Sequence, residues 1–152
     1  MAHKYYEQNK IWQINTLLLH SRAYVQQDHI LFNCPVSRFI WCIVGRAFSK
    51  TVVPRSRDEF TELYLVAGGK QANSITWFWF SAVAWSLWLI RNERVFQHKV
   101  LLNPLTPLYR AISLMLQWMP LVVPKRRAAT EACVERIRRS VQEVGADQDG
   151  DG

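Results

Sequence analysis

The residues best suited to bind a metal ion lie around position 30 of this 152-residue chain. His29 and Cys34 are five positions apart in the segment Asp-His-Ile-Leu-Phe-Asn-Cys-Pro at 28–35, a separation compatible with two ligands of a zinc knuckle. Structural zinc takes four ligands, and an upstream pair separated by two residues would complete the set. His20 stands in that place and offers a ring nitrogen, but Leu17 offers no ligand atom. The sequence therefore predicts an incomplete zinc site at His20, His29 and Cys34, and we expect no zinc cofactor in this chain.

A second candidate site is a cluster of basic residues near the C-terminus. Residues 125–139 carry six basic and two acidic side chains, and the whole chain has a net charge of +7. Contacts between such side chains and phosphates would be salt-sensitive and independent of base sequence. A solvated basic helix explains the same charges, and the acidic residues Asp147, Asp149 and Asp151 could compete for them. The residues predicted to contact nucleic acid are Lys125, Arg126, Arg127, Arg136, Arg138 and Arg139.

The sequence contains no pattern typical of a catalytic site. It has no Gly-rich phosphate loop, no serine or cysteine in a recognisable nucleophile context, and no carboxylate cluster suited to catalytic magnesium. Asp58, Glu59 and Glu62 are better explained as charges near a helix N-terminus, where they interact favourably with the helix dipole. Cys42 and Cys133 lie at apolar positions and are predicted to be packing thiols. We therefore predict a non-enzymatic protein.

The composition is that of one folded domain. Hydrophobic residues make up 49% of the chain and charged residues 20%, which is enough apolar bulk for a core and rules out a wholly disordered chain. The three cysteines are an odd number, and the N-terminus lacks a basic region followed by an apolar run of signal-peptide length. We expect reduced thiols and an intracellular location, nuclear or cytoplasmic.

The spacing of apolar residues predicts that helices position these candidate sites, so the expected fold is mainly α. It is a small helical domain of about five helices with a basic C-terminal helix and a disordered acidic tail, which begins at Gly145. The predicted helices cover residues 5–20, 37–48, 56–67, 74–97, 107–119 and 125–144.

Local signals predict several helix ends. Ser56 followed by Glu59 fits a capping box that opens one helix. The glycine pair at 68–69 would end that helix, and Asn73 or Ser74 would cap the long aromatic helix after it.

The aromatic segment 75–90 is the candidate for a membrane span, but it is shorter than the roughly 20 apolar residues that a span needs. Its apolar residues surround the helix axis, so we predict a helix that is buried on several sides. Trp85, Trp88 and Asn92 would lie along one side, with Arg91 over the Trp88 ring. A core position is favoured for the two tryptophans, since base stacking would need exposed rings beside cations.

Two ordered motifs carry a family resemblance. The segment 28–35, followed by Arg38 and Trp41, resembles the second half of the zinc-binding region of reverse transcriptases from plant non-LTR retrotransposons. In that family a Cys-x-x-Cys pair precedes a stretch close to Asp-His-Leu-Phe-Phe-x-Cys-Pro, and a helix with Arg and Trp follows. The segment 84–96 resembles the connector that often comes next, Trp-x-x-Trp-x-x-Arg-Asn-x-x-x-Phe. The likeness spans residues 28–118.

The resemblance implies a non-enzymatic remnant of a zinc-binding region. The basic C-terminal segment, which the resemblance does not cover, is expected to bind nucleic acid weakly and without sequence preference. The intact family would bind zinc, whereas here Leu17 and His20 stand at its Cys-x-x-Cys pair. The chain has no Tyr-x-Asp-Asp motif and no room for a polymerase or RNase H-like domain. We divide it into a divergent segment 1–27, a degenerate zinc-binding-like region 28–120, and a basic helix with an acidic tail at 121–152. The alternatives are a membrane-associated protein that uses residues 75–90, and a chain with no selected function; the oligomeric state stays open.

Overall fold

The computed structural model describes residues 28–150, and these residues are predominantly helical. A π-helical turn at His29–Asn33 comes first, and a 3-10 turn at Met119–Leu121 precedes the last helix. No strand occurs in this part of the chain, so the predicted mainly α fold of about five helices is confirmed. The predicted helix at 5–20 lies outside the described residues. The longer helices are α1 Pro35–Ala47, α2 Arg57–Tyr64, α3 Lys70–Gln97, α4 Thr106–Trp118 and α5 Pro124–Asp149.

A proline and a capping box start the first two helices. Pro35 occupies the first turn of α1, where a backbone N–H would have no acceptor within the helix. At α2 the Ser56 hydroxyl accepts a hydrogen bond from the Glu59 N–H at 3.2 Å, as predicted. The Glu59 carboxylate accepts from the Arg55 N–H at 2.8 Å, one residue before the position that a capping box normally uses.

The loop between α2 and α3 differs from the prediction. α2 ends at Tyr64, and Gly68, with a φ of 73°, forms a left-handed turn four residues later. Asn73 and Ser74 lie inside α3, so neither caps it. The Asn73 amide instead accepts from the Val66 N–H and donates to the Val66 carbonyl oxygen, both at 2.8 Å. These two bonds attach the loop to the start of α3.

The core contains an aromatic cluster that joins the π turn, α1, α2 and α3. α3 packs most extensively against α4, while α1 packs against α5. The Phe60 ring centroid lies 4.4 Å from that of Phe80 and 5.5 Å from that of Trp41. Phe48 stacks on Trp79 at 4.9 Å. Such ring contacts add to the free energy gained from apolar burial.

α5 covers the core on the side of α1. The predicted apolar stripe is largely confirmed, since Val134, Ile137 and Val141 are each at most 5% exposed. The Ser140 hydroxyl donates to the Ile43 carbonyl oxygen at 2.8 Å and so links α5 to α1.

The last turns of α5 lie where the sequence predicts a disordered tail. The helix continues past Gly145 to Asp149, so the prediction is wrong at these positions. Val144 is only 3% exposed, and a Cβ at Gly145 would lie 3.8 Å from side-chain atoms of Leu105 and Tyr109. Packing against α4 and the loop before it therefore keeps this part of the chain helical.

Candidate functional site

Two of the predicted zinc ligands, His29 and Cys34, lie at the two ends of the π turn. The Cys34 N–H donates to the His29 carbonyl oxygen at 2.8 Å, and the Cys34 side chain is 5% exposed. The Ser37 hydroxyl oxygen lies 3.7 Å from the Cys34 sulfur. Within residues 28–150 no three His, Cys, Asp or Glu side chains form a group that could hold a metal ion. His20 lies outside the described residues, and the described donors alone do not make up the four ligands of structural zinc.

The residues that carry the family resemblance build a packing junction. Phe32 and Trp41 are fully buried, with their rings stacked at 5.6 Å between centroids. The Trp41 indole N–H donates to the Leu31 carbonyl oxygen. The Arg38 guanidinium donates to the carbonyl oxygens of Val53 and Pro54, each at 3.4 Å. These contacts join the π turn and α1 to the loop before α2.

The structure divides the predicted basic cluster into two groups. Arg126 donates to the Ser74 hydroxyl, and Arg127 donates to the Val122 carbonyl oxygen at 3.1 Å. The Nε atoms of both arginines are buried and have no hydrogen-bond acceptor in the described part of the chain. Arg126 and Arg127 therefore lie against the protein and are poorly placed to contact the successive phosphates of a nucleic-acid strand.

A third arginine of the cluster is also engaged. The Arg138 guanidinium lies 2.9 Å from the Glu135 carboxylate, one helical turn away, and both side chains are about half exposed. An exposed pair of this kind adds little to stability, but it lowers the positive charge that a phosphate would meet.

Lys125, Arg136 and Arg139 remain as exposed cations of α5. Their side chains make no hydrogen bond or ion pair with another residue in 28–150. At 3.6 residues per turn, Lys125 and Arg136 lie on the same side of the helix, and Arg139 follows one turn later. The predicted competition from the acidic end of the chain is not seen in the described residues, where Asp147 and Asp149 form no ion pair.

Trp85 and Trp88 form an exposed aromatic pair. The two side chains are 47% and 41% exposed, and their rings stack at 4.7 Å with an interplanar angle of 22°. The prediction that both rings belong to the core is wrong, because neighbouring helices cover only part of the circumference of α3. Arg91 does not lie over Trp88; its guanidinium is 6.0 Å from the Phe96 ring centroid.

A cavity of about 340 Å³ lies between α3, the end of α4 and the start of α5. Sequence reasoning missed it, because its walls come from three distant stretches of chain. The only local signal was the pair of prolines at 120 and 124, which brings an apolar connector over the first turns of α3. The cavity is lined by Ser74, Ile75, Phe78, Trp118, Leu121, Val122, Val123, Arg126 and Thr130.

Cys42 and Cys133, the two thiols that were predicted to serve packing, are poor nucleophiles. Burial raises the pKa of Cys42 and of Cys133 above the ordinary value of a thiol. Both groups therefore stay protonated at neutral pH, and a protonated thiol is a poor nucleophile.

Within residues 28–150, no helix combines the length and apolar character needed to cross a membrane.

Comparisons with known proteins give this chain no relative. The chain matches no protein-family model, no curated protein and no solved structure.

Proposed function

We propose that this chain is a non-enzymatic helical module, related to the zinc-binding region of plant retrotransposon reverse transcriptases, that binds nucleic acid weakly and without sequence preference. The observation that carries the proposal is the group of exposed cations Lys125, Arg136 and Arg139 on α5. Cations that neutralise phosphates release condensed counterions, which favours binding to any sequence.

The spacing of the three cations suits a polyanion better than a compact anion. Residues 125 and 139 are fourteen positions apart, which corresponds to about 21 Å along a helix. Side chains spread over this length can contact successive phosphates of a strand but cannot converge on one small ion. Three such contacts without base readout give weak binding.

The Trp85–Trp88 pair favours single strands over duplex as the target. Exposed aromatic rings can stack on unpaired bases, and each stacked base contributes about 1–3 kcal/mol. The two rings are already parallel within 22°, so a base could extend the stack without a change in their orientation. Trp88→Ala is expected to weaken single-strand binding by about fivefold or more and to leave duplex binding unchanged.

The test is a titration of labelled single-stranded oligonucleotides of two unrelated sequences at several salt concentrations. The variant Lys125→Gln/Arg136→Gln/Arg139→Gln removes three exposed cations. The matched control, Arg46→Gln/Arg110→Gln/Arg138→Gln, removes the same charge from cations that are paired with carboxylates at 3.4, 2.8 and 2.9 Å. Circular dichroism verifies that both variants are folded.

We expect the first variant to weaken binding equally on both sequences and to reduce the salt slope by about 2, or about 0.7 for each lost phosphate contact. The control should change the slope by less than half as much. Equal effects of the two variants would mean that only net charge matters and that Lys125, Arg136 and Arg139 do not form the interface. Failure of the parent chain to bind would remove the proposal and favour a chain without a selected binding function.

A further inference from the structure

The cavity beside α5 has the size and walls of a small-molecule site. Its volume of about 340 Å³ falls within the range of roughly 300–1,000 Å³ that is typical of ligand pockets. Most of its lining is apolar, and Phe78 and Trp118 meet edge to face with centroids 6.3 Å apart. Aromatic and aliphatic walls of this kind suit a hydrocarbon or an aromatic ring.

One cationic group interrupts the apolar wall. Arg126 lines the cavity, and its guanidinium donates to the Ser74 hydroxyl. Its Nε atom is buried without a hydrogen-bond acceptor in the described part of the chain. No acidic residue lines the cavity, so no carboxylate of the described chain balances this charge there. The guanidinium therefore has no counter-charge in the wall, and an anion in the cavity that accepts a hydrogen bond from the part of it lining the cavity would balance its charge.

We propose that this cavity binds a small amphipathic monocarboxylate, such as a medium-chain fatty acid. The carboxylate accepts a hydrogen bond from Arg126, and such a charge-assisted bond is stronger than one between neutral groups. The apolar part of the ligand lies against Phe78, Trp118 and Val122. The proposal concerns a different surface from the exposed cations of α5 and does not depend on nucleic-acid binding.

The chemistry of the lining argues against a polyanion in the same place. Among the described residues, Arg126 is the only charged one in the wall, and a nucleic acid strand would bring several phosphates into a cavity whose other walls are uncharged. A single carboxylate on an apolar chain matches both the one charge and the remaining surface.

The first experiment locates the ligand in the full-length protein. Tryptophan indole N–H signals are followed by NMR while decanoate is added below the concentration at which it aggregates, and Trp118→Phe identifies the Trp118 signal. We expect the Trp118 signal to shift saturably at one decanoate per chain, while the signals of Trp85 and Trp88 stay in place. An unchanged Trp118 signal, or a shift at the exposed tryptophan pair instead, would overturn the proposal.

The second experiment tests the role of the charge by calorimetry. Decanoate should bind the parent chain at least about tenfold more tightly than 1-decanol, because only the carboxylate can pair with the guanidinium. Arg126→Met should lose this preference, while the control Arg139→Met, which removes an exposed cation of the same helix, should keep it. Equal affinities of the parent for decanoate and decanol, or an undiminished preference in Arg126→Met, would overturn the proposal. The comparison of the two ligands on the parent chain decides the question even if Arg126→Met does not fold.

Discussion

Replacing Trp41 by alanine tests whether the aromatic cluster holds the fold together. Trp41 is fully buried, and its ring centroid lies 5.6 Å from that of Phe32 and 5.5 Å from that of Phe60. Truncation of a buried aromatic side chain costs about 3–5 kcal/mol, through lost transfer free energy and the cavity that remains. The Leu31 carbonyl oxygen would also lose its indole donor. We therefore expect Trp41→Ala to lower the free energy of unfolding by about 4–5 kcal/mol.

Trp85→Ala is the matched control because it removes the same side chain from an exposed position. Its ring is 47% exposed, so about half of the transfer free energy is lost and no closed cavity forms. The expected loss is about 1–2 kcal/mol, which includes the contact with the Trp88 ring at 4.7 Å. Urea unfolding followed by far-UV circular dichroism measures both values, and Trp41→Phe, with an expected loss of about 1–2 kcal/mol, serves if the alanine variant does not fold. Equal destabilisation by Trp41→Ala and Trp85→Ala would refute the assignment of core and surface.

Zinc content, one tyrosine and two glycines provide further tests. Dialysed protein should retain no stoichiometric zinc by elemental analysis, because His29, Cys34 and His20 would supply at most three of four ligands; one zinc per chain that disappears in Cys34→Ser would contradict this. Tyr64→Phe should raise the free energy of unfolding by up to about 1 kcal/mol at neutral pH, since the Tyr64 hydroxyl is buried without a partner in the described residues. Burial also raises the pKa of Tyr64 in the folded chain, so the unfolded chain ionises first and the parent should lose stability as the pH rises above about 10. Urea unfolding at about pH 8 and about pH 11 should show a smaller loss in Tyr64→Phe, and an identical loss would count against this account. Gly45→Ala should destabilise the fold by about 1–2 kcal/mol, because its Cβ would lie 3.0 Å from a backbone carbonyl oxygen. Gly145→Ala, whose Cβ would meet side chains at 3.8 Å, should stabilise α5 by up to about 1 kcal/mol. Thermal unfolding measures both glycine variants, and a change of the unfolding temperature in the same direction for both would contradict the prediction.

The sequence predicts helix ends well where residues within one helical turn of the end determine it. Ser56 and Glu59 satisfy backbone N–H groups at the start of α2, and Pro35 needs no acceptor in the first turn of α1. The loop after α2 could not be predicted in this way. Asn73 binds the backbone of Val66, seven residues earlier, whereas the sequence alone suggests an ordinary helix cap at this position.

The sequence does not predict which side of α3 is exposed. Apolar residues surround this helix, so its periodicity carries no information about where neighbours lie. Trp79 is 2% exposed and Trp85 is 47% exposed, although they belong to the same aromatic run. The difference comes from tertiary packing of α1, α4 and α5, which no local pattern encodes.

The helical spacing of residues 125–139 separates basic residues that face the protein from those that face outward, whereas a count of charges does not. Thr130, Val134 and Ile137 mark the buried side of α5, and Arg126 lies one turn before Thr130 on that side. Its guanidinium therefore points toward the protein, even though the run at 125–127 looks uniformly basic. A count of charges along the chain treats these positions as equivalent, while a helix places them on different surfaces.

The segment 28–35 is held in place by aromatic packing and by hydrogen bonds. A structural zinc contributes about 10–16 kcal/mol to the folding of small zinc fingers, whereas a single hydrogen bond contributes about 0.5–1.5 kcal/mol. The bond from Asn33 to the Arg55 carbonyl oxygen at 2.8 Å could not replace a metal by itself. Truncation of either fully buried ring, Phe32 or Trp41, is expected to cost about 3–5 kcal/mol, which is several times the contribution of that hydrogen bond. Zinc content and nucleic-acid binding are therefore tested separately, the first by elemental analysis and the second by the salt dependence of binding.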